Sequence, residues 1–401
     1  MTDLQSPSEL VSASSFDACR RPLLEAQNLP PACYHDAAFY QREIEAVFSE
    51  SWVMVGREES LRRVGDYFTA SIASMEIIVA RGLDQGIRAF NNSCRHRGSR
   101  LLEGAGNTRA IACPYHAWTY ALDGTLRAAP GMEQARGFHV EDFPLVALRT
   151  ATWGGFIFVC ASQAAPAFED WIGDLADILA PYRFQDMRAG RRLVFDLECN
   201  WKTWVENYME GYHIPTVHRR TISKHKAVNV PQTRGRGQYD LIWERHPGTL
   251  ALLGDDPGFA PIETLTGETS EGSRFALVYP NSMISMTIDA MWSFECHPTS
   301  AQTSRLVLTS CFPASRFELP DFESLANNYY KRQDIVLEED NNIAQVQQKG
   351  LRSSLTRAGR FSHKEPIVHA LANWVLDRVL GPAEPPRMQM TANNDSVRGS
   401  A

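Results

Sequence analysis

The chain has no long apolar run. No stretch of about twenty consecutive apolar residues occurs anywhere in its 401 residues, so no membrane-spanning helix is expected. It has no basic run either. The 40 Lys and Arg stand against 47 Asp and Glu, and the net charge of −7 argues against nucleic acid as a main partner. The opening residues, MTDLQSPSELVSASSFDACRR, contain no apolar h-region, which argues against a secretory signal. The eight Cys, at 19, 33, 94, 113, 160, 199, 296 and 311, are too scattered to form a disulfide framework in a chain this long, and a reducing cytoplasm is the expected setting. No G-x-G-x-x-G follows a strand pattern, so no nucleotide-binding fingerprint is found, and there are no internal repeats. What remains is 44% hydrophobic and 22% charged, as in soluble globular proteins. The length points to two domains.

Against this background one stretch concentrates chemistry: Cys94–Trp118, CRHRGSRLLEGAGNTRAIACPYHAW. It holds Cys94-x-His96, then sixteen residues, then Cys113-x-x-His116. Each clip puts one thiolate and one imidazole on a short loop. A single structural zinc ion also takes Cys₂His₂, but zinc fingers usually pair Cys with Cys and His with His. Mixed clips suit two irons with different ligands, as in a Rieske [2Fe–2S] centre, where two His replace two Cys on one iron. Cys94 and Cys113 are expected on one iron, with His96 and His116 on the other. Pro114, Tyr115 and Trp118 crowd the second clip. Gly98, Gly104 and Gly106 would let backbone approach the sulfurs.

In chain order, residues 1–30 are rich in Ser, Pro and Ala and are expected to be partly disordered. Residues 36–48 carry helix-like spacing. Runs at 67–72, 75–80, 87–90, 117–122 and 152–160 read as strands, with Asp123-Gly124 as a hairpin turn. The clips therefore sit at the tips of an all-β module. Residues 168–182 read as helix, and 192–199, 275–279, 283–288, 291–297 and 304–311 as strands. Segments 322–350 and 363–380 read as long helices. The stripe Ile367, Val368, Leu371, Val375, Leu376 and Val379 in the last is read as core alone.

A second constellation lies at Glu210-Gly-Tyr-His213-x-x-x-x-His218. On a straight helix, positions five apart point about 140° apart and could not share a metal. Pro215 breaks such a helix and re-aims His218. Two His and one carboxylate on one face of an iron form the facial triad of non-haem Fe(II) oxygenases. Taken alone, two such His are more often packing residues. Beside a one-electron cluster the metal reading prevails, because the cluster needs something to reduce.

Together these motifs resemble the large (α) subunit of Rieske non-haem iron oxygenases, from about residue 35 to 380. The resemblance implies an α+β fold: an all-β Rieske domain (46–160) between an N-terminal segment (1–45) and a helix-grip catalytic domain (161–382), with a flexible tail (383–401). It implies that His213 and His218 bind a mononuclear iron. The third ligand would be a downstream carboxylate in Leu337-Glu338-Glu339-Asp340: Asp340, with Glu339 and then Asp334 as substitutes. Glu210 replaces the Asp that most relatives carry. Three residues from His213, it would share a helix face and orient that imidazole. In the family this residue also bridges to a cluster His of a neighbouring subunit, which implies a head-to-tail homotrimer.

The implied protein is a terminal oxygenase using O2 and electrons from NAD(P)H through a separate flavin- or ferredoxin-type reductase. Glu at position 210 resembles the branch acting on quaternary or N-methylated amines (choline, glycine betaine, carnitine, stachydrine). Trp201, Trp204, Tyr208, Trp243, Tyr279 and Trp292 are candidates for an aromatic cage around such a cation. Attack on an N-methyl carbon would give a hemiaminal that collapses to amine and aldehyde. The rivals are hydroxylation of an aromatic ring or aromatic acid, a Rieske electron carrier without oxygenase activity, and a zinc-stapled interaction protein.

Overall fold

The computed structural model describes residues 16–222, 228–230 and 235–381. The disorder expected before residue 16 and the tail 383–401 lie outside these. Residues 16–30 are not loose: Phe16, Cys19, Ala26 and Leu29 are buried in the main core. Four apolar anchors outweigh the Ser- and Pro-rich composition around them.

Two antiparallel sheets carry the molecule. The first runs in the order β1 (Val53–Arg57), β10 (Phe156–Cys160), β9 (Ala147–Trp153), β4 (Ile87–Asn91), β3 (Met75–Arg81), β2 (Asp66–Ile72), β5 (Ala105–Asn107). A small sheet of β6 (Ile111–Ala112), β7 (Thr119–Tyr120) and β8 (Leu126–Ala128) stands beside it. The expected turn at Asp123-Gly124 joins β7 to β8, with Gly124 at φ +87° and a β-carbon there only 2.5 Å from the Phe90 ring. Residues 152–160, read as one strand, are the end of β9, a Gly154-Gly155 turn with both φ positive, and β10. Gly-Gly satisfies a tight hairpin that other residues would strain.

The second sheet runs β11 (Met187–Leu197), β17 (Ser304–Pro313), β16 (Met291–Pro298), β15 (Ser282–Met286), β14 (Ser273–Val278), β13 (Tyr239–Arg245), β12 (Val228–Val230). Every residue of β16 is buried, whereas the edge strand β11 alternates toward solvent. The expected helix at 168–182 is split into α2 (Phe168–Ile172), α3 (Leu175–Leu179) and a final 3₁₀ turn. Gly173, at φ +55°, ends the first piece, and Pro181 lies in the final turn. Two further helices, α4 (Trp201–Tyr208) and α5 (Ile214–Val217), precede the sheet's inner strands. The 30-residue α6 (Phe322–Leu351) packs against α4 and β11. The last helix is α7 (Pro366–Val379).

The N-terminal helix α1 (Ala37–Glu43) packs on α7. Its Glu43 forms a fully buried ion pair with Lys202 of α4 at 2.6 Å. Tyr34 donates to Glu206 at 2.8 Å, and Gln348 of α6 donates to the Tyr34 carbonyl at 2.9 Å. Among the described residues no helix is long and apolar enough to cross a membrane.

Candidate metal centres

The two clips meet at the tip of the first sheet. Each is a tight loop: Cys94 N–H donates to the Ser99 carbonyl and Cys113 N–H to the Trp118 carbonyl, both at 2.8 Å. Beneath them Ile78, Phe90, Leu101, Ile111, Trp118 and Tyr120 form a separate small core. Both thiols are buried and free. The Tyr120 hydroxyl lies 3.3 Å from Cys94 Sγ and accepts from the Arg95 N–H. Burial pushes the Cys113 thiol up, but backbone N–H groups of His116 and Tyr115, with the Cys94 and Ser99 side chains, turn the balance toward thiolate. His96 stacks on Trp118 with ring centroids 4.9 Å apart, and its ring centroid is 4.8 Å from that of His116. Nδ1 of each His is buried without any hydrogen-bond partner. Two orphaned imidazole nitrogens beside two buried thiols are the donor set a [2Fe–2S] cluster requires. Of the three glycines named for close approach, Gly98 lies in the clip with φ +74°. Gly104 has open space at its β-carbon and Gly106 packs on Tyr67, so these two serve the strand rather than the sulfurs.

The second site forms where α4 ends. His213 caps the start of the single-turn α5 and His218 caps its end. Pro215 therefore does not break a helix; it occupies the first turn, where its missing N–H costs nothing. With both His outside the regular turn, their Nε2 atoms come within 3.2 Å. Asp340 of α6 brings Oδ1 to 3.5 Å from His213 Nε2 and 3.0 Å from His218 Nε2. These three residues offer ligand atoms that all lie within 4.8 Å of one another.

The outward imidazole nitrogens are also held. Glu210 Oε1 lies 2.6 Å from His213 Nδ1, and its other oxygen accepts the backbone N–H groups of Tyr212 and His213. Glu210 thus lies beyond the end of α4 and not on the expected helix face, yet it makes the expected contact. Glu339 Oε2 lies 2.8 Å from His218 Nδ1 and accepts from Thr221 Oγ1 at 2.8 Å. Glu339, named as a substitute ligand, is turned to the back of the ring instead. Asp334 points to the surface, where it pairs with Arg191 at 2.8 Å. Asn207 Nδ2 donates to Asp340 Oδ1 at 2.9 Å. Burial pushes the Asp340 carboxyl up, but hydrogen bonds from both His hold it at about 2. Burial pushes the His213 imidazole down, but Asp340 and Glu210 raise it to about 9. Three carboxylates around two imidazoles make a strongly cation-seeking pocket.

A cavity of about 990 Å³ opens on these residues. Of the six aromatic candidates, Trp204, Tyr208 and Trp292 line it. Trp201, Trp243 and Tyr279 do not. Trp201 packs edge-on against Phe48, Arg274 covers Trp243, and Tyr279 stacks on Trp374. Phe275 and Phe294 line it instead, together with Glu244, Arg332 and Ile367. Ile367 therefore belongs to the cavity wall as well as to the apolar stripe of α7. Asn207 was legible in principle, since Trp204, Asn207 and Tyr208 share one face of α4. Glu244, on a strand the sequence patterning did not find, was not.

Comparison with known proteins follows the same division. Residues 51–144 match the Rieske [2Fe-2S] domain and residues 184–381 match the catalytic domain of the ring hydroxylating alpha subunit. The carnitine monooxygenase oxygenase subunit of Escherichia coli K12 is 30% identical over 347 residues, covering 84% of this chain and 87% of that one. A solved quaternary ammonium Rieske monooxygenase, described in terms of carnitine oxidation and inter-subunit electron transfer, superposes with a TM-score of 0.73 at 26% identity, covering 89% and 95% of the two chains. A naphthalene 1,2-dioxygenase from Rhodococcus shares the fold, with a TM-score of 0.76 at 18% identity over 93% and 100%. The match to a catalytic domain removes the carrier reading, and the match to a Rieske domain removes the zinc reading. The chain belongs to the Rieske non-haem iron oxygenases, as the subunit that carries both the [2Fe–2S] domain and the ring-hydroxylating catalytic domain.

Proposed function

We propose that this oxygenase acts on a quaternary or N-methylated amine, with Cys94, His96, Cys113 and His116 holding the cluster and His213, His218 and Asp340 holding the mononuclear iron. The observation that carries the metal assignment is the convergence of His213, His218 and Asp340, with the outward Nδ1 atoms of the two His engaged by Glu210 and Glu339 and Asp340 Oδ1 accepting from Asn207. His213, His218 and Asp340 would hold the iron, which when bound would supply activation of O2 beside the substrate. The chain's own residues supply orientation. Glu210 and Glu339 accept the Nδ1–H of each imidazole, which fixes the tautomer and leaves Nε2 as ligand atom. Phe275, Phe294 and Tyr208 form an apolar, electron-rich wall that excludes water and favours an ammonium group.

The amine reading is supported by the carnitine-acting relatives, which match this chain at higher identity than the aromatic-ring dioxygenase. The reading extends to a reductase of flavin or ferredoxin type and to a head-to-tail homotrimer in which Glu210 faces a neighbour's cluster. Glu210 also lines a second cavity of about 200 Å³ beside the first, and inter-subunit transfer is described for a solved relative. Eight free thiols support a reducing, cytoplasmic setting. The domain division proposed is 1–45, 46–160, 161–382 and 383–401.

The test is anaerobic purification, iron and labile-sulfide counting, and EPR after dithionite, followed by substrate-dependent O2 uptake. The expected result is about three irons and two sulfides per chain with a low-average-g Rieske signal, and uptake with trimethylammonium compounds. About two irons per chain, unchanged on replacing His213, would remove the mononuclear site. Uptake with aromatic acids alone would replace the amine reading.

A further inference from the structure

The large cavity contains a cation that the metal chemistry does not use. Arg332 lies on α6, buried to 9% exposure, and lines the wall. Its guanidinium covers the Trp292 ring at 5.4 Å. Its Nε is buried without a hydrogen-bond partner, and among the described residues no hydrogen bond or ion pair engages its other nitrogens. Burial lowers its pKa to about 10, opposed only by the fields of Asp340 and Glu244. A buried guanidinium with five donors and no acceptor is costly unless something arrives to satisfy it. Planar bidentate donors match a carboxylate.

The neighbouring acids do not fill this role. Asp340 is committed to His213, His218 and Asn207. Glu244 lines the same cavity, but its Oε1 lies toward the loop before His213, 4.0 Å from where a β-carbon on Gly211 would sit. The cavity lining thus carries three carboxylates, Glu210, Asp340 and Glu244, and one guanidinium, Arg332, which feels the charges of Asp340 and Glu244 without an ion pair to either. Arg332 precedes Asp340 by eight helical residues, about 12 Å between backbone positions.

We propose that Arg332 is the carboxylate-binding residue of this cavity, and that the substrate is a zwitterion with its ammonium end at the metal trio and its carboxylate on Arg332. This rests on the amine reading above and narrows it to ammonium carboxylates, against ammonium alcohols. Arg332 sets orientation: with the carboxylate anchored away from the metal end, the carbons next to nitrogen are the ones presented for oxidation.

The test is anaerobic calorimetric binding to the iron-loaded enzyme with three probes: γ-butyrobetaine, its methyl ester, and butyrate. The wild-type protein is expected to bind the betaine about tenfold or more tightly than the ester, since only the acid offers a charged bidentate partner. Arg332→Gln should shrink that ratio to within about twofold, and Arg332→Lys should keep part of it. A purely structural role for Arg332 would lower both affinities and leave the ratio alone, which overturns the proposal. Should Arg332→Gln fail to fold, Glu244→Gln provides a second reading. Removing the facing carboxylate should raise the acid-to-ester ratio, and an unchanged or lower ratio counts against the anion site. If the ester binds as well as the betaine in the wild type, the amine reading stands and the anion site falls. If butyrate matches the betaine with full dependence on Arg332, the anion site stands and the amine reading falls.

Discussion

At the scale of the residue, Asp340 and Glu339 divide one task between neighbours on a helix. Asp340 turns its oxygen to both Nε2 atoms, while Glu339 reaches His218 from behind. Removing each should therefore give different failures. Asp340→Ala is expected to abolish mononuclear iron while leaving two irons and two sulfides, about the cluster's own content. Glu339→Gln should keep the third iron but weaken its binding by about 10–100-fold, because His218 loses the negative charge of its acceptor. Metal analysis during chelator titration separates the two. The sequence alone named both residues and ranked Asp340 first, but it gave Glu339 no separate function. That distinction needs side-chain direction, and two adjacent acids on a helix differ in direction by about 100°. The four proposed cluster ligands stood out more clearly in the sequence, because few residue types can hold iron–sulfur chemistry and their local spacing is short. Arg332 and Glu244 were illegible for the opposite reason: nothing local marks a charged residue as facing a cavity built from distant strands.

At the scale of the element, α6 ties the catalytic sheet to His213 and His218 through Asp340. Tyr329, buried on this helix, donates to Asp289 at 2.6 Å and accepts from the Phe259 N–H at 2.8 Å while stacking on the Phe259 ring. Tyr329→Phe keeps the ring and strands both partners. The expected loss is about 1–3 kcal/mol in chemical denaturation, with iron and sulfide content unchanged in the folded fraction. The long helices and most inner strands were readable from periodicity. The failures came at punctuation. Gly173 split one expected helix, and Gly154-Gly155 turned one expected strand into a hairpin. Pro215 was read as ending a helix when it begins one. Glycine and proline mark a change of direction more reliably than its sense.

At the scale of the whole molecule, the N-terminal segment is locked to the catalytic core through buried charge. Glu43 and Lys202 pair without solvent contact, and Tyr34 donates to Glu206 nearby. Burial raises the Glu206 carboxyl to about 7 from an ordinary 4.5. The folded state thus holds this proton more tightly than the unfolded chain. Its contribution is complete below about pH 4.5 and is lost as pH rises through about 7. Glu206→Gln should therefore leave stability near pH 5 little changed and raise it at pH 8 by about 1–3 kcal/mol, read by tryptophan fluorescence in denaturant. Equal shifts at both pH values would show that the carboxyl is not protonated in the fold. The unbroken course of α6 has a further consequence for guests of different length. Its cavity-facing positions Gln333, Val336 and Leu337 stand about 10, 6 and 4–5 Å from Asp340, and Arg332 about 12 Å. A rigid rod offers no intermediate spacing. Selectivity along a homologous series should then change in discrete notches rather than smoothly, each notch one helical position further from Asp340.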